Sequence, residues 1–264
     1  MNPTRAALLL AAVILSGCAS KTVDRADAAK RKGFTTAQER PGLGTSWGEQ
    51  RESWVEPAPF ARTSAERPSG QERIYYNDRE GAKAMLDFLG GPTRSCDGWQ
   101  PSAGGLLRLG LRTGNGTWVD CRESHGRRIA TGEHGARYEV MLKNDARHAV
   151  EVVVSVDGLD AMDGKPASFK KRGYVLAPFE TLAVEGFRTS AGSVAAFHFG
   201  SMSGSYGQRR HGNTTNAGVI GVAVFEEKRR HPASENSAAG GHAWRASATH
   251  PAGGAHDFSA PPEA

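Results

Sequence analysis

The sequence predicts a mainly β protein: an antiparallel β-sandwich, immunoglobulin-like or jelly-roll-like, with one short helix. Three observations carry that expectation. Between Gly135 and Glu227 apolar residues recur at every second position, as in Tyr138, Val140 and Leu142, then Val150, Val152, Val154 and Val156. That is the period of a strand with one face in a core. Turn-forming residues separate the runs, and no second long helical pattern interrupts them, which favours two packed sheets over alternating strands and helices.

In chain order, the first expected element is a helix over Asp78–Leu89. Asn77 and Glu80 have the spacing of a capping box, and Ala82, Met85, Leu86 and Leu89 form an apolar stripe at helical period. Gly90-Gly91-Pro92 ends it with residues suited to a C-cap and unable to continue a helix. Leu107, Leu109 and Leu111 alternate with Arg108, Gly110 and Arg112 as a half-buried strand. Asn115-Gly116 supplies the positive φ of a tight hairpin turn, with Thr117-Trp118-Val119 returning.

Beyond Asn144-Asp145 and the valine run, Gly173–Leu176 and Thr181–Phe187 flank a turn at Ala177-Pro178-Phe179-Glu180. Val194–Phe199 is a further strand. The last, Gly218–Phe225, is apolar on both faces and is therefore expected in the middle of a sheet.

The chain before and after this region has a different composition. Residues 1–17 have the parts of a secretory leader: Arg5, an apolar run from Ala6 to Leu15, and small residues at Ser16-Gly17. The run is shorter than the roughly 20 apolar residues that span a bilayer. Leu15-Ser16-Gly17-Cys18 resembles the lipobox of bacterial lipoproteins. That resemblance covers only the first residues. It implies that Cys18 is acylated and becomes the first mature residue, and Ala19 after it implies sorting to the outer membrane.

Residues 18–70 are rich in charge, Pro, Gly and Ser with little apolar periodicity, so they are expected to be a disordered tether. Trp47, Trp54 and Phe60 are exceptions, expected to dock on the folded domain. The domain itself is expected over 71–228. Residues 229–264, rich in Ala, Gly, Ser, Pro and His, read as a disordered tail.

With Cys18 acylated, two of the three cysteines remain. An even remainder in an oxidising compartment predicts a Cys96–Cys121 disulfide. The alternative, a metal site using Cys96, Cys121 and His125 with His134 as a candidate fourth ligand, matches no paired Cys-x-x-Cys or zinc-finger spacing. The formal charge of +5 includes Arg5, so loss of the leader leaves +4. That modest excess in an envelope protein excludes nucleic acid as a partner and leaves anionic envelope components or a protein as counterparts.

Three candidate sites emerge. Asp157, Asp160 and Asp163 place three carboxylates in a glycine-containing loop, a source of ligands for calcium, although they fall at every third position where an EF-hand alternates at every second. Lys170-Lys171-Arg172 and Arg209-Arg210, with the aromatic Tyr206, would form a cationic rim if their loops meet. His198, between Phe197 and Phe199, faces opposite to both and reads as a structural hydrogen-bonder. Gly200-Ser201-Met202-Ser203-Gly204 has Met where a nucleophile elbow needs Ser. Walker, dinucleotide-glycine and HExxH patterns do not occur.

The expected protein is a lipid-anchored outer-membrane lipoprotein with a non-catalytic binding or scaffolding domain and no cofactor. The alternatives are an enzyme acting on glycans or peptidoglycan, with Asp157, Asp160, Asp163 or Glu185 as its acids, and an accessory subunit of an envelope assembly.

Overall fold

The computed structural model describes residues 41–228, 243–247 and 258–262. Cys18, the expected leader and residues 18–40 of the expected tether lie outside them. The first half of the described chain forms β1 (Leu43–Glu52), β2 (Val55–Ala58), β3 (Gly70–Asn77), α1 (Arg79–Leu89), β4 (Arg94–Ser95), β5 (Gln100–Ser102), β6 (Leu107–Thr113), β7 (Cys121–Ser124), β8 (Arg127–Thr131) and β9 (Arg137–Asn144). The second half forms β10 (Val150–Val156), β11 (Leu159–Asp160), β12 (Tyr174–Leu176), β13 (Thr181–Val184), β14 (Gly186–Ser190), β15 (Ser193–Ser201), α2 (Tyr206–His211), β16 (Val219–Glu226) and β17 (Ala243–Ala246).

One sheet runs β1-β15-β9-β6-β5, with β13 added on β9 and β14 on β15. The other runs β2-β17-β12-β10-β16-β3-β8-β7-β4, with β11 on β10. Pairing is antiparallel except for β3 with β8 and β12 with β17, so the second sheet is mixed. The expected alternation decides the core. Leu107, Leu109, Leu111, Tyr138, Val140 and Leu142 join Val150, Val152, Val154, Val156, Ile220, Val222 and Val224 in one buried cluster. Each fully buried side chain of this size contributes about 1.5–3 kcal/mol. β16 lies between β10 and β3, the central place its two apolar faces require. Its outward Ala223 and Phe225 bury with Val153 in a separate cluster, and the Arg62 guanidinium lies 3.6 Å over the Phe225 ring.

The domain is larger than its composition suggests. Residues 18–70 were expected as tether, yet 43–52 and 55–58 are strands. β1 carries few large apolar residues because it docks through its backbone on β15, an apolar strand that supplies the burial. Trp47 packs on the core, with its ring 6.3 Å from Phe187 and 4.8 Å from Tyr206, and Phe60 is buried. Residues 229–264 were expected as tail, yet β17 pairs with β12 and β2, and Trp244 is buried. Phe258 packs on Trp244, and the Ser259 N–H donates to Arg188 O.

Local details also differ. Asp78, not Asn77, caps α1 by accepting from Gly81 N at 2.7 Å, while Asn77 Oδ1 accepts from Leu43 N and Asp78 N. Gly90 at φ 65° ends the helix as expected. The expected strand Thr181–Phe187 splits at Glu185: β13 pairs with β9 and β14 with β15. A Cβ at Gly186 would lie 2.0 Å from Ala195 O, so only glycine permits that backbone approach. The return of the Asn115-Gly116 hairpin reduces to a bridge between Arg112 and Trp118. The disulfide Cys96–Cys121 is present where β4 pairs with β7. The second short helix, α2, has too few residues to show a period; Ser205 caps it and Gly212 closes it.

Candidate functional site

The two basic clusters both border the loop after β11, one through Lys171 on Asp163 and the other through His211 on Gly164. α2 docks on the loop after β11, with His211 Nε2 2.8 Å from Gly164 O and Arg210 bonded to the Tyr206 side chain. The first cluster is nonetheless already neutralised from within. Lys170 pairs with Glu66 at 3.2 Å and Lys171 with Asp163 at 2.5 Å. Arg172 donates to Glu151 and to Phe60 O. Glu151, fully buried, also accepts two bonds from Arg62 and one from Gly173 N. Arg172 is thus part of an interior cross-link. Tyr206 is 2% exposed, donates to Ala260 O and packs with tilted rings against Trp47 and Phe187. Arg209 and Arg210 stand in the last turn of α2.

The three aspartates serve three local purposes. Asp157 is buried at a left-handed φ of 54°, and it gathers strands from both sheets. Its Oδ1 accepts from Tyr76 OH at 2.5 Å and Gly218 N at 2.9 Å, and its Oδ2 from Thr45 N at 2.6 Å. Thr45 Oγ1 in turn bonds Tyr76 OH and Tyr138 OH. Burial pushes the Asp157 carboxyl up to about 6 against the pull of these bonds. Burial, then the neighbouring Asp157, holds both tyrosine hydroxyls well above their ordinary value.

Asp160 is pushed up to about 7 by burial, with Lys171 opposing. Asp163 is held by Lys171 and by Lys165 N. Calcium needs six to eight oxygens converging on one point. Among the described residues no group of three His, Cys, Asp or Glu side chains is arranged for a metal ion. Asp157 spends both oxygens on the chain's own donors, Asp160 Oδ1 accepts from Met162 N while its buried Oδ2 has no partner, and Asp163 Oδ1 is taken by Lys171 and Lys165 N. Glu185, the fourth acid considered, pairs with Arg51 at 3.4 Å.

His198 has the hydrogen-bonding position its strand predicts. Nδ1 lies 2.9 Å from Gly135 O and Nε2 2.7 Å from Glu49 Oε2. A β-bulge between Trp47 and Gln50 lets Glu49 reach it. A Cβ at Gly48 would stand 2.4 Å from the imidazole, so the glycine makes room for the ring. Burial alone would raise the Glu49 carboxyl, but its own backbone N–H, His198 and Arg137 outweigh burial and lower it. Ser205 of the serine-rich stretch is consumed in capping α2.

The feature that composition and spacing missed is a groove beside α1. The helix leaves β3 at Asn77 and runs back over the outward residues Tyr75 and Ile129, burying Ala82. Its flank, made of Gly81, Ala84, Met85 and Phe88, faces Pro41, Gly42, Tyr75 and Asn77 across a hollow of about 460 Å³. Phe88 at its mouth is 88% exposed. The small residues keep the groove open, because Gly81 lets the first turn lie against Asn77, where a Cβ would come within 2.2 Å of Nδ2.

The ends of the groove differ in charge. Asp78 and Glu80 stand where α1 starts, and Arg127 lines the opposite end. Asn77 pairs with Thr131 and Ile74 with Arg128, so Arg127 lies four residues along β8 from the helix start, roughly 13 Å at 3.3 Å per residue. The signal for this groove was present in the sequence only as Phe88, an apolar residue off the buried stripe.

No family model matches the chain, and no curated protein or solved structure matches it. What the fold can do chemically therefore rests on the side chains themselves. Buried acids are engaged in structural bonds, and an open, largely apolar hollow lies at α1.

Proposed function

We propose that this protein is a lipid-anchored domain of the bacterial outer membrane whose task is non-catalytic binding, with the α1 groove as its ligand-facing surface. The anchor is supported by Leu15-Ser16-Gly17-Cys18 after an apolar leader, and the cysteine left over from the disulfide is the one to be acylated. One acyl chain binds a bilayer only marginally, and the several carried by this class make attachment stable. The binding role is carried by one observation: an open hollow of about 460 Å³ with largely apolar walls and an exposed Phe88 at its mouth. That volume lies within the range of sites that hold small ligands, about 300–1,000 Å³. Large apolar side chains left in water on a folded surface mark interaction sites when they border a concavity.

The test uses the full chain carrying Cys18→Ser, titrated with size-fractionated extracts of the bacterial envelope while its melting temperature is followed. A low-mass fraction that raises the melting temperature, and no longer does so when Ala84→Trp fills the groove, supports the reading. A shift that survives Ala84→Trp, or no shift with any fraction, overturns it.

A further inference from the structure

We infer that the α1 groove takes a short extended peptide with a positive group at one end, a free carboxylate at the other and apolar side chains between. This deepens the binding role proposed above and rests on it. The argument starts from charges left over. Around the groove most ionic groups are paired: Lys83 with Asp87, Arg94 with Glu123, and Arg128 with Glu123 and Glu72. The Glu80 and Arg127 side chains line the groove at its two ends, and among the described residues neither has a salt-bridge or hydrogen-bond partner. Each is therefore open to an external counter-charge.

The ligand's shape follows from what lies between. Tyr75, Ala84, Met85 and Ile129 present apolar walls, and Arg127 stands about four residues of extended strand, roughly 13 Å, along β8 from Thr131, which pairs with Asn77 just before α1. Asp78 adds a second carboxylate beside Glu80, since its Oδ1 bond to Gly81 N leaves acceptor sites open. Arg127 offers a planar fork that suits a carboxylate. A fatty acid would satisfy Arg127 but bring no cation to Asp78 and Glu80. A polyamine would do the reverse. A peptide with both ends charged meets both, with side chains for the apolar walls.

The probe is the synthetic peptide Ala-Leu-Ala-Val with free termini, measured by calorimetry on the full chain carrying Cys18→Ser. The expected result is saturable one-to-one binding that C-terminal amidation weakens by roughly tenfold. In Arg127→Ala the free and amidated peptides bind equally. N-acetylation weakens the unsubstituted protein similarly, and that loss shrinks in Glu80→Gln. Both side chains are exposed, so these variants keep the fold. Amidation that weakens Arg127→Ala as much as the unsubstituted protein overturns the inference, as does absence of binding. Should the peptide fail while an envelope fraction still gives a groove-dependent melting shift, the ligand class is wrong and the binding role stands. Failure of both removes both.

Discussion

Removing the disulfide tests the domain's architecture most directly. The perturbation is Cys96→Ala with Cys121→Ala in the Cys18→Ser chain. The two cysteines are 25 residues apart, and the chain-entropy relation for a loop of that length gives about 12 cal/mol/K, or about 3.5 kcal/mol at 25 °C. Both side chains are almost fully buried, so the missing sulfurs also leave a small void that adds to the loss. The bond closes the β4–β7 corner, where Cys96 N donates to Cys121 O at 2.9 Å and Cys121 N to Asp97 Oδ1 at 2.6 Å. Those bonds survive the substitution, so the corner loosens without dissolving. For a domain of this size the loss corresponds to a fall of about 7–14 °C in melting temperature. Urea unfolding followed by tryptophan fluorescence measures it, with the slope reporting whether the unfolded state has expanded. A loss under about 1 kcal/mol with an unchanged slope would show that the entropy argument fails here. In the single variant Cys96→Ala, one reactive thiol, Cys121, is expected; finding none would refute the pairing.

Three further outcomes are expected. Asp157 and Asp160 are raised in the folded chain, to about 6 and about 7, from an ordinary value of 3.8. The folded state thus binds their protons more tightly, and the stability this supplies is complete below pH 3.8 and lost as pH rises through 6 and 7. For Asp157 it amounts to about 3 kcal/mol. Urea midpoints of Asp157→Asn across pH 4–7 should fall less steeply than those of the unsubstituted chain, and equal slopes would refute the assignment. Glu151→Ala leaves the Arg62 and Arg172 guanidiniums without their buried partner and should cost about 3–5 kcal/mol, whereas Lys170→Ala at an exposed pair should cost under about 0.5 kcal/mol; similar losses in the two would show that burial does not set the difference. Cys18→Ser should move the protein from the membrane to the soluble fraction on cell fractionation, and retention in the membrane would refute the anchor.

Elements that carry their own burial pattern could be located from sequence. β6, β9, β10 and β16 alternate or run apolar in ways that only strands satisfy, and α1 shows both its stripe and its stop at Gly90. β1 and β17 could not be located this way, because their place comes from pairing with β15, β12 and β2, and a backbone ladder leaves no mark on side-chain composition. The candidate site divides in the same manner. The basic loops were identified as residues, but whether a lysine or arginine is available depends on partners distant in the chain: Glu66 for Lys170, Glu151 for Arg172. Asp157 reads in the sequence as one of three loop carboxylates, and nothing local says that Thr45, Tyr76 and Gly218 converge on it.

The β class, the cysteine pair and the position of α1 were legible in the sequence, since each depends on residues close together or on simple counting. Only tertiary pairing shows that residues 43–58 and 243–246 join the sheets, which charges are spent inside and which remain. Glu80 and Arg127 are unremarkable in the sequence. They become the two ends of a groove because α1 folds back along β3 and β8, and that arrangement is set by long-range pairing.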